Sequence, residues 1–589
     1  KNHPSIIMWT IGNENPYTEV VEKVVQYVKQ KDPTRPRALP MAGNYFLENR
    51  ERLSDNLDIY AFHYQSAQTV ARIADLKQKP VITTEYSHAL GLAFDALESQ
   101  FDTILSRKNI AGGAVWCWSD QALLRNRTKN DFMCDSVPMG VWLDSLRYLD
   151  SYNDKGTDGI VYADGYPQED YWQLRKIYSP IVVLDKEFGI HEGKQIIELT
   201  VENRFNFISL VGYRCNWQIR NLSKELGNGS VQLSALAGQQ EKISLQCILP
   251  ADIENNDCML YLEVTDNRGA PVYEKSIPLL VDNQRPDYLK LVGHLPEQKR
   301  FRIQKSSAML SVQGEDYLFA VDKNGKLTIQ DTDKRKVMDT YLYLRVGRKP
   351  SINIVNFLMR KKTFGWEPYL LTPEVKKFDC MEEKGKVSAR LHCRWSRVDK
   401  AGEYIEGDVI FSVTKNGVMT VDYDLVPYHT TGTLWECGPT FALHPSIETF
   451  RWLGNGPYTS TPGKTAYNER DTWALHKDDM HFMGNRGLVD AAVLLDNENK
   501  GIGYIGFSSD LAVEKIGDAI YITDNAIVSS YGTKLSQPVV NNKADKVKNI
   551  KGKFNLMLVG KAGNMLLTPL FSPYSEVLPN MHFLKSYGH

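Results

Sequence analysis

The sequence predicts a multidomain fold that combines an α/β region with all-β regions. Up to about residue 180, apolar strand-like runs alternate with stretches of helical periodicity, which is typical of parallel βα units. After Pro180 the apolar residues recur with a period of two, which is typical of antiparallel strands. The 589 residues leave room for about three or four domains.

The composition excludes several classes of protein. Hydrophobic residues make up 42% and charged residues 24% of the chain, which is ordinary for a soluble globular protein. The formal net charge is -1, so no global field favours nucleic acid or an anionic membrane as a partner. No apolar run reaches transmembrane length and no signal-peptide pattern opens the chain. We expect a soluble protein, and the choice between a cytoplasmic and a periplasmic or secreted location stays open.

The eight cysteines show neither a CxxC pair nor a metal-finger spacing. Their scattered positions therefore indicate neither a zinc site nor a disulfide framework.

The first region predicts five strands in parallel order. They are expected at residues 5–11, 37–41, 57–63, a run ending at Glu85, and 112–118, with helices at 18–31, 67–77, 94–107 and 168–178. Such units fit the C-terminal five βα units of a TIM (β/α)8 barrel, whose first three units we expect upstream of Lys1. The predicted domain is a partial TIM-barrel catalytic domain over residues 1–180.

Two β domains are predicted after this barrel region. Residues 181–283 contain alternating runs at 196–201, 211–217 and 258–264, separated by turn clusters such as Gly227-Asn228-Gly229. They predict an immunoglobulin-like β-sandwich, followed by a linker at 282–287. Residues 284–589 are strand-rich and too numerous for a small sandwich, so a large C-terminal β-supersandwich is predicted.

Two carboxylates stand where apolar runs of the barrel region end. Glu14 follows Gly12 and Asn13 after the first run, and Glu85 ends the run that begins at Pro80. The C-terminal ends of parallel barrel strands converge on one mouth, so acids distant in sequence become neighbours there. A single glutamate after a strand is more often a helix cap or a surface ion pair. Two glutamates at corresponding strand ends are the pair of carboxylates that a glycoside hydrolase requires.

Several segments carry a family resemblance. Three segments, residues 3–14, 84–91 and 112–121, resemble in order and spacing the barrel signatures of glycoside hydrolase family 2 β-galactosidases. Residues 158–164 resemble the end of that barrel. Residues 452–457 resemble a signature of the family's C-terminal supersandwich, which is galactose-mutarotase-like.

The resemblance implies roles for individual residues. Glu14 becomes the general acid/base and Glu85 the nucleophile of a retaining enzyme that removes terminal non-reducing β-D-galactose by double displacement. The resemblance also implies four substrate-site residues. Asn13 contacts the sugar 2-hydroxyl and Tyr64 orients the nucleophile. His88 binds the glycone, and Trp116 is the aromatic floor beneath it. Trp9, Trp118 and Trp142 are expected in the core instead.

A metal is implied only through one residue. The family's magnesium site includes the acid/base glutamate, so Glu14 is a candidate ligand and Mg²⁺ a candidate cofactor of the complete protein, with other ligands from earlier barrel segments. Three features depart from the family pattern. Asp158 stands where relatives often have an asparagine at a sodium site, and His63 occupies a position usually given to another residue type. Residues 527–533 lack the tryptophan that the family has in a late loop. Monovalent-cation use and the aglycone side therefore stay open.

The leading hypothesis is a β-galactosidase acting on β-galactoside oligosaccharides or glycoconjugates, with a homo-oligomer left open. β-Glucuronidase and β-mannosidase of the same fold are alternatives, although the W-x-W-x-D-Q form of residues 116–121 favours galactose. A third alternative is a non-catalytic carbohydrate-binding fragment, because five strands do not close an eight-stranded barrel. On that ground we expect at most a trace of activity from residues 1–589 alone.

Overall fold

The computed structural model describes residues 2–560 except for a series of segments, of which the longest are 127–139, 152–158, 289–294, 349–365, 478–483 and 531–539. Within these residues the α-helices are α1 (Glu19–Lys31), α2 (Ala67–Asp75), α3 (Leu97–Leu105) and α4 (Glu169–Ile177), and a 3-10 helix spans Ala544–Lys546. No helix of the described part combines the length and the apolar character needed to span a bilayer.

Five parallel strands form the first sheet, and they lie in the order in which they occur in the chain. They are β1 (Trp9–Thr10), β2 (Arg37–Met41), β3 (Ile59–His63), β4 (Val81–Tyr86) and β5 (Ile110–Val115). Helices α1, α2 and α3 lie between consecutive strands as crossover connections. The predicted number, order and direction of these strands are confirmed.

Helix α1 shows how the local sequence sets these elements. The hydroxyl of Thr18 accepts a hydrogen bond from the backbone N–H of Val21, which caps the first turn. Of the predicted apolar stripe, Val25 is fully buried, and Val21 and Val28 pack against the same core, whereas Val24 is exposed. The helix therefore packs along a narrower face than the sequence indicates.

The first strand and one tryptophan differ from the prediction. Strand β1 covers two residues instead of 5–11, and Ile7 is 79% exposed, because among the described strands β1 pairs only with β2. Trp118 was expected in the core but is 62% exposed, since it lies beyond the end of β5 with one edge against Tyr171. Trp9 is half-buried, and the side chain of Trp142 lies outside the described residues.

A small antiparallel sheet follows β5 and was not predicted. It consists of β6 (Ala122–Asn126), β7 (Gly140–Trp142) and β8 (Arg147–Ser151), with β8 in the middle. Ser119 then pairs in parallel with Val161 in an isolated bridge, and α4 follows within the predicted helix at 168–178.

Eight strands of the next region form two sheets around one core. They are β9 (Ile181–Val183), β10 (Phe188–Ile190), β11 (Gly193–Asn203), β12 (Arg214–Asn221), β13 (Lys224–Gln232), β14 (Gln240–Leu249), β15 (Cys258–Thr265) and β16 (Pro271–Val281). Sheet β14-β11-β9 faces sheet β10-β16-β15-β12-β13. The predicted runs at 196–201 and 258–264 lie in β11 and β15, and most of the run at 211–217 lies in β12.

The glycine cluster at 227–229 is not a turn, as the sequence predicted, but lies inside β13. A Cβ at Gly229 would come within 2.7 Å of the Trp217 ring on the neighbouring strand β12. The glycine is therefore required by side-chain packing across the sheet rather than by a change of chain direction.

The last region is built almost entirely of strands. A five-stranded antiparallel sheet holds β17 (Arg302–Lys305), β18 (Met309–Gln313), β19 (Tyr317–Asp322), β20 (Lys326–Asp331) and β21 (Lys336–Tyr341). A 14-stranded sheet holds β22 (Tyr343–Arg345), β23 (Leu370–Leu371), β24 (Glu374–Glu383), β25 (Lys386–Ser396), β26 (Tyr404–Thr414), β27 (Val418–Tyr428), β28 (Glu436–Ala442), β29 (Thr449–Gly456), β30 (Glu469–His476), β31 (Asn485–Leu495), β32 (Gly501–Ile516), β33 (Ala519–Asn525), β34 (Ile527–Val528) and β35 (Ile550–Val559). The predicted boundaries near 180 and 283, and the immunoglobulin-like and supersandwich assignments, stay predictions.

A loop of this last region docks onto helices α3 and α4. The backbone N–H of Thr459 donates to Glu169 of α4 at 2.6 Å, and that of Ala466 donates to Glu98 of α3 at 2.7 Å. Lys464 and Asp170, both nearly fully buried, form an ion pair at 2.6 Å. The C-terminal region is thereby held against α3 and α4.

Candidate active site

Strained backbone marks the carboxyl ends of three strands of the parallel sheet. Glu14 after β1, Tyr64 directly after β3 and Ser87 directly after β4 have φ angles of 52°, 51° and 42°. Residues other than glycine rarely adopt positive φ, and such positions cluster where a fold holds side chains for function. One of them, Glu14, is an acid that the sequence singled out, and Tyr64 bonds the other, Glu85.

Backbone hydrogen bonds to β2 place Glu14. The N–H of Ile11 donates to Ala38 and the N–H of Glu14 donates to Pro40, both at 2.9 Å. Gly12, at φ 100°, leaves room for the side-chain oxygen of Asn15, which a Cβ would approach to 2.4 Å. The loop thus turns at Gly12 and presents a Glu14 side chain that is 41% exposed.

Glu85 is held more deeply than Glu14. It lies on β4, its carbonyl accepts the N–H of Tyr64 at 2.9 Å, and its side chain is 15% exposed. The Tyr64 hydroxyl donates a short hydrogen bond to Glu85 Oε2. Burial, together with the adjacent carboxylate, raises the pKa of Tyr64 far above its ordinary value. Tyr64 therefore remains a protonated hydrogen-bond donor to Glu85.

The two acids converge on one point together with His63. One oxygen of Glu14, one oxygen of Glu85 and a ring nitrogen of His63 all lie within 4.8 Å of one another. His63 Nδ1 is 3.0 Å from Glu14 Oε1 and 3.5 Å from Glu85 Oε2, and the imidazole is 1% exposed. Sequence reasoning noted His63 only as a departure from a family pattern and missed it as a site residue. Its place at the end of β3, immediately before Tyr64, was the available signal.

The other predicted substrate contacts lie around this pair. His88 is buried, with its ring centroid 5.7 Å from that of Tyr64. Trp116 is half-buried, and its backbone pairs with Tyr86 and Ala89 beside the end of β4. Asn13 is exposed next to Glu14. The structure brings all of these positions to the carboxyl ends of the strands, and their contacts with a sugar stay predictions.

The residues around Glu14 do not fit magnesium by themselves. Mg²⁺ prefers six oxygen ligands in near-octahedral geometry. Glu14, His63 and Glu85 are the one group of three convergent ligand side chains found in the described part of the chain, and it contains an imidazole nitrogen that already bonds Glu14. No step proposed below uses a metal. The sodium-site position Asp158 lies outside the described residues.

Asp120, within the W-x-W-x-D-Q run, has a structural contact. It is buried, and its Oδ1 accepts the backbone N–H of Gly159 at 2.7 Å. This bond ties the segment after β5 to residues 159–161, whose chain also pairs with Ser119. Asp120 thereby helps to fix the wall on which Trp116 lies.

Comparison with known proteins shows what the region that holds this site is similar to. Residues 1–183 match the family described as glycosyl hydrolases family 2, TIM barrel domain. A β-galactosidase of Priestia megaterium is 24% identical over 541 residues, which are 85% of this chain and 47% of that protein. A β-galactosidase of Pectobacterium atrosepticum is 23% identical over 526 residues, 83% of this chain and 48% of that protein.

Among solved structures, the crystal structure of Parabacteroides merdae β-glucuronidase aligns with a TM-score of 0.24 and 10% identity, covering 72% of this chain and 48% of that one. The chain spans about half the length of the curated relatives it matches. The matched barrel domain contains both candidate acids, and the curated relatives extend the likeness over most of the chain. Residues 1–183 therefore resemble the barrel domain of glycoside hydrolase family 2, and most of the chain resembles curated β-galactosidases.

Proposed function

We propose that the protein containing this chain is a retaining exo-acting β-galactosidase, with Glu85 as nucleophile and Glu14 as general acid/base. The observation that carries the proposal is the approach of one oxygen of each acid to within 4.8 Å. Retaining enzymes hold their carboxyl groups about 5 Å apart, whereas inverting enzymes leave room for a water at roughly 6.5–9.5 Å. The short separation supports direct attack by a carboxylate.

The unequal environments of the two acids support unequal roles. Glu85 is mostly covered and receives the Tyr64 hydroxyl, so its charge is supported where it must attack the anomeric carbon. In this first step the carboxylate forms an ester with that carbon, the bond to the leaving oxygen breaks, and Glu14 gives its proton to that oxygen. Glu14, the more exposed acid, can reach a leaving group that departs towards solvent.

The second step reverses the roles of Glu14. A water molecule takes the place of the leaving group, Glu14 removes its proton, and the water oxygen attacks the anomeric carbon. The ester bond to Glu85 breaks and the nucleophile regains its charge. Two inversions give net retention at the anomeric carbon.

The choice of galactose rests on similarity and on two wall residues. The curated relatives are named β-galactosidases. Trp116 beside β4 offers an aromatic face, and the apolar face of galactose is suited to such a contact. His88, buried beside Tyr64, offers a polar group on the same wall. β-Glucuronides and β-mannosides remain the rival substrates to be tested in parallel.

Proton NMR of the first sugar released from an aryl β-galactoside tests the proposal. We expect β-galactose to form first and the α-anomer to follow only by mutarotation. Initial formation of α-galactose would contradict the proposed mechanism. Faster turnover of an aryl β-glucuronide or β-mannoside than of the galactoside would contradict the proposed substrate but not the roles of the acids.

A further inference from the structure

We propose that His63 is a positioning residue whose Nδ1–H bonds Glu14 and holds this acid/base in place, above all in the second step, with Glu85 as a more distant neighbour. This inference rests on the proposed retaining mechanism. It gives a role to a residue that the sequence marked only as unusual.

The geometry provides one donor and two acceptors. His63 Nδ1 lies 3.0 Å from Glu14 Oε1, which is a hydrogen-bond distance, and 3.5 Å from Glu85 Oε2, which is a longer contact. A neutral imidazole carries a single N–H. If that proton is on Nδ1, it can bond either carboxylate but not both well at the same time.

The imidazole is held so that Nδ1 keeps facing the acids. His63 is the last residue of β3, is 1% exposed, and pairs in register with Glu85 of β4. Its ring packs edge-on against Tyr64, with the centroids 5.7 Å apart. The backbone on this side is fixed by the Tyr64 N–H bond to Glu85. These contacts keep the buried ring beside the two acids.

The charges of the acids alternate during the proposed reaction. In the first step Glu14 must give its proton to the leaving oxygen, and the 3.0 Å contact with His63 Nδ1 holds it for that transfer. In the glycosyl-enzyme Glu85 is a neutral ester, and Glu14 must be ionised to accept a proton from water. Hydrogen bonds to charged acceptors are stronger than those to neutral ones, so the bond from Nδ1–H to Glu14 strengthens in this second step.

The two acids differ in how much they depend on this donor. Glu85 also receives the Tyr64 hydroxyl, and its backbone is held within β4. The Glu14 side chain is 41% exposed and belongs to a loop. Loss of the His63 donor should therefore affect the second step, in which Glu14 is the charged base, more than the first.

The test compares His63→Leu with His63→Asn in the protein containing this chain. Leucine fills the site without a donor, whereas the asparagine amide can place an N–H near the position of Nδ1. We expect kcat for an activated aryl β-galactoside to fall about ten- to hundredfold in His63→Leu, with KM changed less, and to recover mostly in His63→Asn. Intact-protein mass spectrometry under turnover should show more glycosyl-enzyme in His63→Leu than in the wild type.

Phe62→Leu is the matched control, since Phe62 is the preceding residue of β3 and is fully buried in the core behind the sheet. Phe62→Leu should lower the free energy of unfolding without causing glycosyl-enzyme to accumulate. Wild-type kcat in His63→Leu would overturn the inference alone, as would a loss that asparagine does not recover and that produces no added glycosyl-enzyme. A wild-type protein that turns over no aryl β-galactoside would overturn the proposed function and this inference with it.

Discussion

Two clusters of carboxylates in this molecule have different surroundings. At the ends of the parallel strands, Glu14 and Glu85 share His63 on a face that is open to solvent through Glu14. In the 14-stranded sheet, Arg345 bonds Glu436 at 3.2 Å and Glu514 at 2.6 Å, with Arg345 1% and Glu436 0% exposed. The first cluster can receive a substrate, and the second is sealed.

Solvent access differs between the two clusters and determines whether their charged groups can take part in a reaction. A fully enclosed ion pair has lost its water, and its energy depends on the partner alone. Burial accordingly raises the pKa of Glu436. A half-open pair keeps one side free for a reacting molecule, so its charges are available to chemistry. The sealed cluster should control stability and the open cluster should control turnover.

The largest expected effect is on turnover. Glu85→Gln keeps the shape of the side chain and an oxygen that can accept the Tyr64 hydroxyl, but an amide does not form the glycosyl ester. We expect kcat to fall on the order of 10⁴-fold or more, with an unchanged thermal midpoint. Release of nitrophenol from an aryl β-galactoside, beside a thermal melt, measures both. Activity above about a hundredth of wild type would mean that another group acts as nucleophile.

The role of Glu14 is checked with the same substrate. Glu14→Ala should still form the glycosyl-enzyme from an activated aryl galactoside, because a good leaving group needs little acid assistance. Added azide should then accelerate the second step, whereas it should not restore Glu85→Gln. Equal behaviour of the two variants would contradict the assignment of separate roles.

In the sealed cluster, Arg345→Met should destabilise the C-terminal region by about 3–5 kcal/mol, because Glu436 and Glu514 would lose a buried partner. Turnover per folded molecule should stay near wild type. Hydrogen exchange of strands β28 and β32 measures the local free energy of unfolding. The control is Arg268→Met, whose guanidinium is 83% exposed and whose ion pair should contribute at most about 1 kcal/mol. Equal losses of unfolding free energy in the two variants would contradict the distinction between the enclosed and the exposed ion pair.

A smaller effect depends on pH. Asp524 is buried beneath the hydroxyls of Tyr423 and Tyr504, and burial raises the pKa of this carboxyl to about 6. The folded state therefore binds the proton more tightly than the unfolded state does. The resulting stabilisation is complete below about pH 4 and is lost as the pH rises through about 6, a total of about 3 kcal/mol.

Asp524→Asn should remove this contribution. Hydrogen exchange of β33 between pH 4 and pH 7 should show a flatter dependence in Asp524→Asn than in the wild type. Asp545→Asn, at a half-exposed carboxylate of the same region, should follow the wild-type curve. A parallel slope in wild type and Asp524→Asn would show that other groups dominate the pH dependence.

The smallest expected effect is on kcat, at the cluster of Glu14, Glu85 and His63. Tyr64→Phe removes one hydrogen-bond donor to Glu85 but keeps the ring that packs against His63 and His88. Because a hydrogen bond to a charged group contributes about 1.5–3 kcal/mol, kcat should fall about ten- to hundredfold, with little change in the thermal midpoint. Steady-state kinetics measures this, and an unchanged kcat would show that Glu85 needs no donor from this side.

Much of the parallel sheet could be predicted because its signals are local. The alternation of strand and helix, the Thr18 cap and the placement of Glu14 and Glu85 after apolar runs depend on neighbours in sequence. The predictions failed where a contact between residues far apart in sequence determines the local structure. Gly229 resembles a turn residue, but the Trp217 ring on the adjacent strand requires it. Trp118 is apolar, and its exposure depends on where the chain leaves β5.

The sequence alone determined the order of the strands, the two acids and the family resemblance, because each follows from a pattern along the chain. Only the tertiary structure decided that His63 lies between the acids and that Arg345 is enclosed with Glu436 and Glu514. Residues that are 49 positions apart, such as Glu14 and His63, meet because parallel strands bring their carboxyl ends to one edge. Periodicity specifies which residues a strand presents, whereas the register between strands specifies which of them meet.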